Sequence, residues 1–282
     1  IPKLTGAWKD YTLKVAASAT EPKASLRVTL TAPGSVFLDY VSLFPATWKN
    51  RPNGLNPAIA KTLQDLKPNF VRFPGGCWVE GDTMATASRW KRTIGPVRER
   101  WTQWNLWQYW STNGLGYHEY LQMCEDLGAD ALFVINVGMS HREVVPMEEM
   151  GEYVQDALDA IEYANGPVTS KWGAVRAANG HPKPFNLKYL EIGNENGGPR
   201  YHERYALMYD AVTAKYPDIN IIACLWDGLP TNRPTPIIDE HYYNNPAFFI
   251  NNANRYDTYD RKGPKVYVGE YAVTRENGEG SL

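Results

Sequence analysis

From about residue 46 onward the apolar positions fall into two alternating textures. Short, nearly unbroken apolar runs cover residues 69–73, 131–136, 187–192, 219–226, 235–243 and 265–270. These read as strands of a parallel sheet, which is covered on both faces and so needs no polar alternation. Between them lie stretches with a helical repeat. Residues 56–66 set Ile59, Leu63 and Leu66 on one stripe, and 118–127 and 203–216 follow suit. Residues 148–164 place Met150, Tyr153, Val154, Ala157 and Ile161 at helical spacing. The first 45 residues have a different pattern. Tyr11, Leu13 and Val15, then Leu26, Val28 and Leu30, then Val36, Leu38 and Tyr40 alternate with polar or small neighbours, the last set following a turn signal at Ala32, Pro33 and Gly34. Three such strands are too few to bury a face against a second sheet. Residues 1–45 therefore read as the C-terminal part of a β-sandwich, and 46–282 as a second domain of alternating strands and helices.

Strands that alternate with helices imply parallel neighbours, because parallel pairs need crossovers. The choice between an open doubly wound sheet and a closed barrel turns on the strand ends. Each apolar run finishes in polar or permissive residues: Arg72, Asn136, Asn194 with Glu195, Asp227, His241 and Glu270. In a (β/α)8 barrel all such ends converge on one face. A doubly wound sheet would localise chemistry at one crevice, usually at a glycine-rich phosphate turn, and no G-x-G-x-x-G or G-x-x-x-x-G-K-[ST] occurs. The predicted fold is α/β, an incomplete TIM-type barrel with six of eight strands. Both ends of the chain read as cut, and an open barrel exposes two sheet edges. The expectation for these 282 residues alone is weak activity or none.

Composition narrows the partners. The 29 Lys and Arg against 31 Asp and Glu leave a net charge of −2, which argues against a broad basic face for nucleic acid. No apolar run approaches the roughly 20 residues that span a bilayer, so no membrane partner is expected. The cysteines Cys77, Cys124 and Cys224 make neither a disulfide framework nor a zinc spacing. His118, His141, His181 and His202 are scattered and form no metal set, so neither metal nor other cofactor is predicted. The chain opens Ile-Pro-Lys without a leader and holds no Asn-x-Ser/Thr sequon, which leaves the compartment open. The 10 Trp and 18 Tyr supply flat faces on which sugar rings can stack, or large core residues. Trp101, Trp104, Trp107 and Trp110 recur every third residue. They read first as packing of a long loop over the barrel and second as an aromatic shelf. Trp90 is a candidate sugar platform on similar terms.

The chemistry concentrates in two matching strand ends. Glu195 closes the segment Glu191-Ile-Gly-Asn-Glu195, and Glu270 closes Tyr267-Val-Gly-Glu270. Two carboxylates at strand ends of one barrel suit glycoside hydrolysis, one as nucleophile and the other as general acid and then base. The acid must hold a proton when substrate arrives, and the charge of the nucleophile is one means of raising its pKa.

Four segments in order carry a resemblance to a known family: Arg72-Phe-Pro-Gly-Gly-Cys-Trp-Val-Glu-Gly81, Gly193-Asn-Glu195, Asp239-Glu-His-Tyr-Tyr243 and Val268-Gly-Glu-Tyr-Ala272. Together they resemble glycoside hydrolase family 51, the α-L-arabinofuranosidases, in the branch with a carbohydrate-binding-like β-sandwich inserted ahead of most of the barrel. Asp39-Tyr-Val-Ser-Leu-Phe-Pro45 resembles the exit from that insert. The resemblance implies a retaining exo-hydrolase that removes terminal α-L-arabinofuranosyl units from arabinoxylan or arabinan, in hemicellulose degradation and L-arabinose metabolism. It implies Glu195 as acid/base after the fourth barrel strand and Glu270 as nucleophile after the seventh. It further implies Asn194 on the sugar 2-hydroxyl, His241 and Tyr243 orienting the nucleophile and lining the pocket, Arg72 keeping the nucleophile ionised, and Cys77 at the pocket floor. An arabinose-containing polysaccharide or oligosaccharide is the expected partner, an oligomer is open, and an extracellular or periplasmic location is favoured. Family members also carry a first and an eighth strand and a further β-sandwich, none of which is in this sequence. Two other readings stay open: another retaining glycosidase of the same clan, of endo-glucanase or xylanase type, and a catalytically dead sugar-binding fragment.

Overall fold

In a computed structural model, described for residues 5–274, the chain divides between Ser42 and Leu43 into two units. Residues 1–4 and 275–282, at the outer ends of the two expected domains, lie outside the described residues. In the first unit none of the three expected strands forms among the described residues, and Leu13, Val15, Leu26 and Val28 are exposed. Alternation supplies an apolar face, but a strand exists only with a hydrogen-bonded neighbour and a surface to bury that face against.

The second unit follows the predicted order. Its elements are α1 (Pro57–Leu66), β1 (Phe70–Phe73), α2 (Gly76–Glu80), a small hairpin of β2 (Gln103–Trp104) and β3 (Trp110–Ser111), α3 (Tyr117–Leu127), β4 (Asp130–Ile135), α4 (Gly151–Asn165), α5 (Lys171–Ala178), β5 (Tyr189–Ile192), α6 (Gly198–Lys215), β6 (Asn220–Cys224), β7 (Ile237–Asn244), α7 (Pro246–Asn251) and β8 (Lys265–Val273). Elements α2, α5, α7 and the hairpin were not expected, and α6 begins five residues earlier than its periodicity indicates. The expected helix at 148–164 is instead a 3-10 turn, Met147–Glu149, followed by α4. Helix α1 is capped by Asn56, whose side chain accepts the N–H groups of Ala58 and Ile59 at 2.9 and 3.4 Å. Its expected stripe is not its buried face: Ile59 and Leu66 are exposed, and Ala60 is buried. No described helix is long and apolar enough to cross a membrane.

Six strands pair in the order β1-β4-β5-β6-β7-β8, every pair parallel. The edge strands β1 and β8 share no ladder, yet their side chains meet. The Phe70 and Tyr267 rings pack edge to face at 5.4 Å, and Arg72 reaches Glu270. The sheet is thus curled to near closure, in keeping with an incomplete TIM-type barrel. Strand β4 shows how the core forms. Leu132 and Val134 point inward to meet Val79 and Ile222, with Tyr189, Ile237 and Tyr267 around them. Phe133 and Ile135 point outward into the layer shared with Tyr117, Ala157, Ile161 and Tyr205. Burial on both faces explains the unbroken apolar run, and each such large side chain contributes about 1.5–3 kcal/mol of transfer free energy.

Candidate active site

Arg72, inside the curl of the sheet on β1, is the hub of the strand-end cluster. Its Nε and Nη2 donate to the two oxygens of Glu191 at 2.9 and 2.8 Å, a bidentate pair. Its Nη1 donates to Glu270 Oε1 at 2.8 Å and Nη2 to Asn194 Oδ1 at 2.6 Å, with Asp239 Oδ2 at 3.5 Å. Burial alone would loosen the guanidinium proton; Glu191, Asp239 and Glu270 overcome that and raise the pKa. Glu191 is fully buried, and desolvation pushes its carboxyl up against the opposing pull of Arg72. The partner expected for Arg72 was Glu270; Glu191 holds it more fully.

Glu270 reaches the interior through a β-bulge. In the β7–β8 ladder Glu240 pairs with Val268 but His241 pairs with Glu270, which leaves Gly269 without a counterpart. Side chains alternate along a strand, so with Tyr267 inward a regular β8 would send Glu270 outward. One extra residue reverses that. Only glycine fits there: a Cβ on Gly269 would stand 2.4 Å from Asp239 Oδ1, while its N–H donates to that oxygen at 2.7 Å. The Tyr243 hydroxyl donates to Glu270 Oε2. Burial, then the hydrogen bond and charge of Glu270, push the Tyr243 phenol up, so it stays a donor.

Glu195 is presented by the turn that follows β5. Gly193 has φ +79°, and a Cβ there would lie 2.5 Å from Asn196 Oδ1. Glu195 itself adopts φ +50°, a left-handed conformation that side-chain-bearing residues rarely take. The Glu195 carboxylate Oε1 lies 2.9 Å from His241 Nδ1, and His241 Nε2 lies 2.9 Å from Asp239 Oδ2. Burial would lower the imidazole, but its hydrogen bonds to Asp239 and Glu195 and the nearby charge raise it to about 9. Both ring nitrogens therefore carry protons at neutral pH. One carboxylate oxygen of Glu195, a ring nitrogen of His241 and one carboxylate oxygen of Glu270 lie within 4.8 Å of one another. Cys77, on α2, is half-buried; burial and the charges of Glu80, Glu195 and Glu270 push its thiol up to about 12.

Seven of the eight residues singled out from the sequence thus gather at one end of the sheet: Arg72, Cys77, Asn194, Glu195, His241, Tyr243 and Glu270. Trp90 does not. It is 4% exposed, its Nε1 donates to the Asp156 carbonyl at 3.0 Å, and it packs against Tyr117, Tyr163 and Trp172. It borders a cavity with Trp78 and Tyr120 that Glu195, His241 and Glu270 do not line. This is a core tryptophan and no exposed platform, because its N–H finds a backbone partner and its faces find other rings. The expected packing of Trp101, Trp104, Trp107 and Trp110 is also not seen: all four are exposed, with Trp104 and Trp110 meeting edge to face across the β2–β3 hairpin. The sequence reading missed Glu191, Asp239 and Glu80 as members of the cluster, although all three lie inside the quoted motifs. It also missed Trp226, exposed beside the His241 ring at 6.4 Å. Among the described residues, metal-ligating donors gather in two groups, Cys77–Glu80–His141 and Glu195–His241–Glu270. In both, the carboxylates already accept hydrogen bonds from neighbouring side chains.

Comparison with known proteins gives the family. Residues 62–261 match the family model described as the alpha-L-arabinofuranosidase 1 domain. The chain is 42% identical to alpha-L-arabinofuranosidase 1 of Arabidopsis thaliana over 279 residues, covering 98% of this chain and 41% of that protein. It is 42% identical to an extracellular exo-alpha-L-arabinofuranosidase of Streptomyces chartreusis, covering 95% of this chain and 36% of that protein. The solved structure of an arabinose-bound GH51 α-L-arabinofuranosidase superposes with a TM-score of 0.78 at 39% identity, covering 82% of this chain and 38% of that one. The chain thus spans about two fifths of the length of these relatives. On the family model, these identities and the barrel strands matched by the solved relative, the chain belongs to the α-L-arabinofuranosidases of glycoside hydrolase family 51.

Proposed function

We propose that this chain carries the catalytic residues of a retaining, exo-acting glycosidase that releases terminal α-L-arabinofuranosyl residues from arabinoxylan- or arabinan-type polysaccharides. The observation that carries the reading is the approach of Glu195 and Glu270 to within 4.8 Å around His241. Retaining enzymes hold their carboxyl groups about 5–5.5 Å apart, while inverting enzymes leave about 6.5–9.5 Å for a water. In the first step Glu270 attacks the anomeric carbon while Glu195 gives its proton to the departing glycosidic oxygen, leaving a covalent arabinosyl ester. In the second Glu195 takes a proton from water, which attacks the same carbon and frees Glu270.

The surrounding groups have assignable work. Arg72 and Tyr243 donate to the two oxygens of Glu270, which holds it aimed. His241, anchored on Asp239, shares its Nδ1 proton with Glu195. Asn194 would donate to the sugar 2-hydroxyl, a contact that strengthens in the transition state, and Cys77 would floor the pocket. The sugar assigned to the site is the one held by the 39%-identical relative, arabinose. We take residues 1–45 as the end of the carbohydrate-binding-like β-sandwich that the family resemblance implies and 46–282 as the catalytic barrel. The test is proton NMR of the first product formed by the full-length protein from an aryl α-L-arabinofuranoside. The α anomer should appear before mutarotation; first appearance of the β anomer would exclude a retaining enzyme.

A further inference from the structure

Glu80 ends helix α2 and is absent from the catalytic scheme above, yet its side chain is only 6% exposed and makes three hydrogen bonds. Its Oε2 accepts from Asn194 Nδ2 at 2.9 Å and faces His141 Nε2 at 3.3 Å; its Oε1 accepts from Asn196 Nδ2 at 3.2 Å. Asn194 is fully buried, and its amide is held from both sides: Arg72 Nη2 donates to Oδ1 and Glu80 accepts from Nδ2. A guanidinium has only donors and an ionised carboxylate only acceptors, so this pair permits one orientation of the amide and forbids its flip. The Asn194 N–H is in turn fixed by Asn196 Oδ1 at 3.1 Å, and Asn196 is held by Glu80. The second Nδ2 hydrogen of Asn194 is engaged by neither of these partners.

We propose that Glu80 is a positioning residue for glycoside cleavage: it locks the Asn194 amide, directly and through Asn196, so that an N–H and never the carbonyl faces the sugar 2-hydroxyl. The inference rests on the reading of Glu195 and Glu270 as an arabinofuranosidase pair. It explains why an acidic residue is buried at the end of α2. A glutamine there would keep the shape but aim its own NH2 at the NH2 of Asn194 or of Asn196, so one of the two amides would lose its acceptor. The contact tightens as charge develops at the neighbouring anomeric carbon, so misplacing it lowers kcat more than it raises KM.

The experiment compares wild type, Glu80→Gln and Asn194→Ala in the full-length protein, each with 4-nitrophenyl α-L-arabinofuranoside and with its 2-deoxy analogue. With the parent substrate Glu80→Gln should lose about ten- to a hundredfold in kcat/KM, mostly in kcat. With the 2-deoxy substrate the ratio of wild type to variant should fall to within about threefold, since the hydroxyl that reads the amide is gone. The double variant Glu80→Gln/Asn194→Ala should be no slower than Asn194→Ala. A loss of equal size on both substrates, or none, overturns the role. Should Glu80→Gln fail to fold, Glu80→Asp, which keeps the charge but is one methylene too short to hold both amides, must show the same dependence on the 2-hydroxyl. Wild-type protein that cleaves neither substrate would instead remove the arabinofuranosidase reading itself, and Glu80's role with it.

Discussion

The two carboxylates at the centre of the site sit on opposite kinds of strand. Glu195 follows β5, an interior strand whose Leu190, Glu191 and Ile192 are all fully buried. Glu270 lies on β8, an edge strand in which none of the nine residues is fully buried. Their side chains nevertheless end equally exposed, at 17% and 18%. The interior carboxylate is presented by its backbone, through the left-handed turn at Gly193 and Glu195. The edge carboxylate is presented by a one-residue bulge and held by side chains from elsewhere, Arg72 of β1 and Tyr243 of β7. Packing fixes the geometry around the buried β5; around the half-exposed β8, charge-assisted hydrogen bonds do so.

The sharpest way to break this comparison is to remove each carboxylate and supply azide. Glu270→Gly should lose about four orders of magnitude or more in kcat, with azide restoring turnover and giving an arabinosyl azide of inverted anomeric configuration. Glu195→Ala should lose about 10²–10⁴ on poor leaving groups, and azide should yield the retained configuration, because it then attacks the covalent intermediate. Identical azide products from both variants would show that the roles are not divided this way. The bulge comes next in size. Gly269→Ala drives a Cβ into the Asp239 carboxylate, and kcat/KM should fall about 10²-fold as Glu270 is displaced by a fraction of an ångström to an ångström. Thermal unfolding should register a loss of about 1–3 kcal/mol. If activity survives Gly269→Ala intact, the edge carboxylate does not depend on the bulge.

His241 joins the two sides, 2.9 Å from Glu195 and 3.8 Å from Glu270, and it gives the comparison a pH signature. Its pKa in the folded chain is raised to about 9 from an ordinary 6.5. The folded state therefore binds this proton more tightly than the unfolded state. The resulting stabilisation is fully present below about pH 6.5 and is lost as pH rises through about 9. It is on the order of 2–3 kcal/mol for this enclosed side chain. Urea unfolding should show a decline in stability across that window which is absent in His241→Gln. A flat profile in wild type would mean that the imidazole is neutral in the fold.

The sequence made one side of this comparison easier to see than the other. The run at 131–136 and the helix at 118–127 were legible because burial on both faces and a 3.6-residue repeat each leave a periodic trace. Glu195 and Glu270 were legible because an apolar strand ends in Gly-Asn-Glu at the first and Gly-Glu at the second. The bulge left no such trace: Gly269 reads as one more residue of the 265–270 strand, and nothing local shows that it turns Glu270 inward. The bond between Arg72 and Glu191 spans 119 positions, so Glu191 alone read as a single polar interruption of a strand. Helix α5 was missed because it is a short segment, 171–178, following Pro167 and capped by Ser170. Trp90 and Trp101 show the limit most plainly. Each is one aromatic among polar neighbours, and only the fold decides that the first is core and the second is surface.

The smallest effect concerns the interior side of the site, where Trp226 follows β6 and stands exposed against the His241 ring. His241 is hydrogen-bonded to Glu195, which in the proposed mechanism meets the leaving oxygen, so on that reading a ring at this place borders the leaving-group side of the cleft. An aromatic face there can stack on the sugar that departs, and such a contact is worth about 1 kcal/mol, or roughly fivefold. Trp226→Ala should accordingly lower kcat/KM about fivefold on an arabinose-substituted xylo-oligosaccharide and leave an aryl arabinofuranoside within about twofold, since the aryl group needs no sugar platform. Equal losses on both substrates would assign Trp226 to the support of His241, and the pH-dependent stability of Trp226→Ala would then shift along with its activity. The interior strands would in that case hold Glu195 from two directions, as Arg72 and Tyr243 hold Glu270.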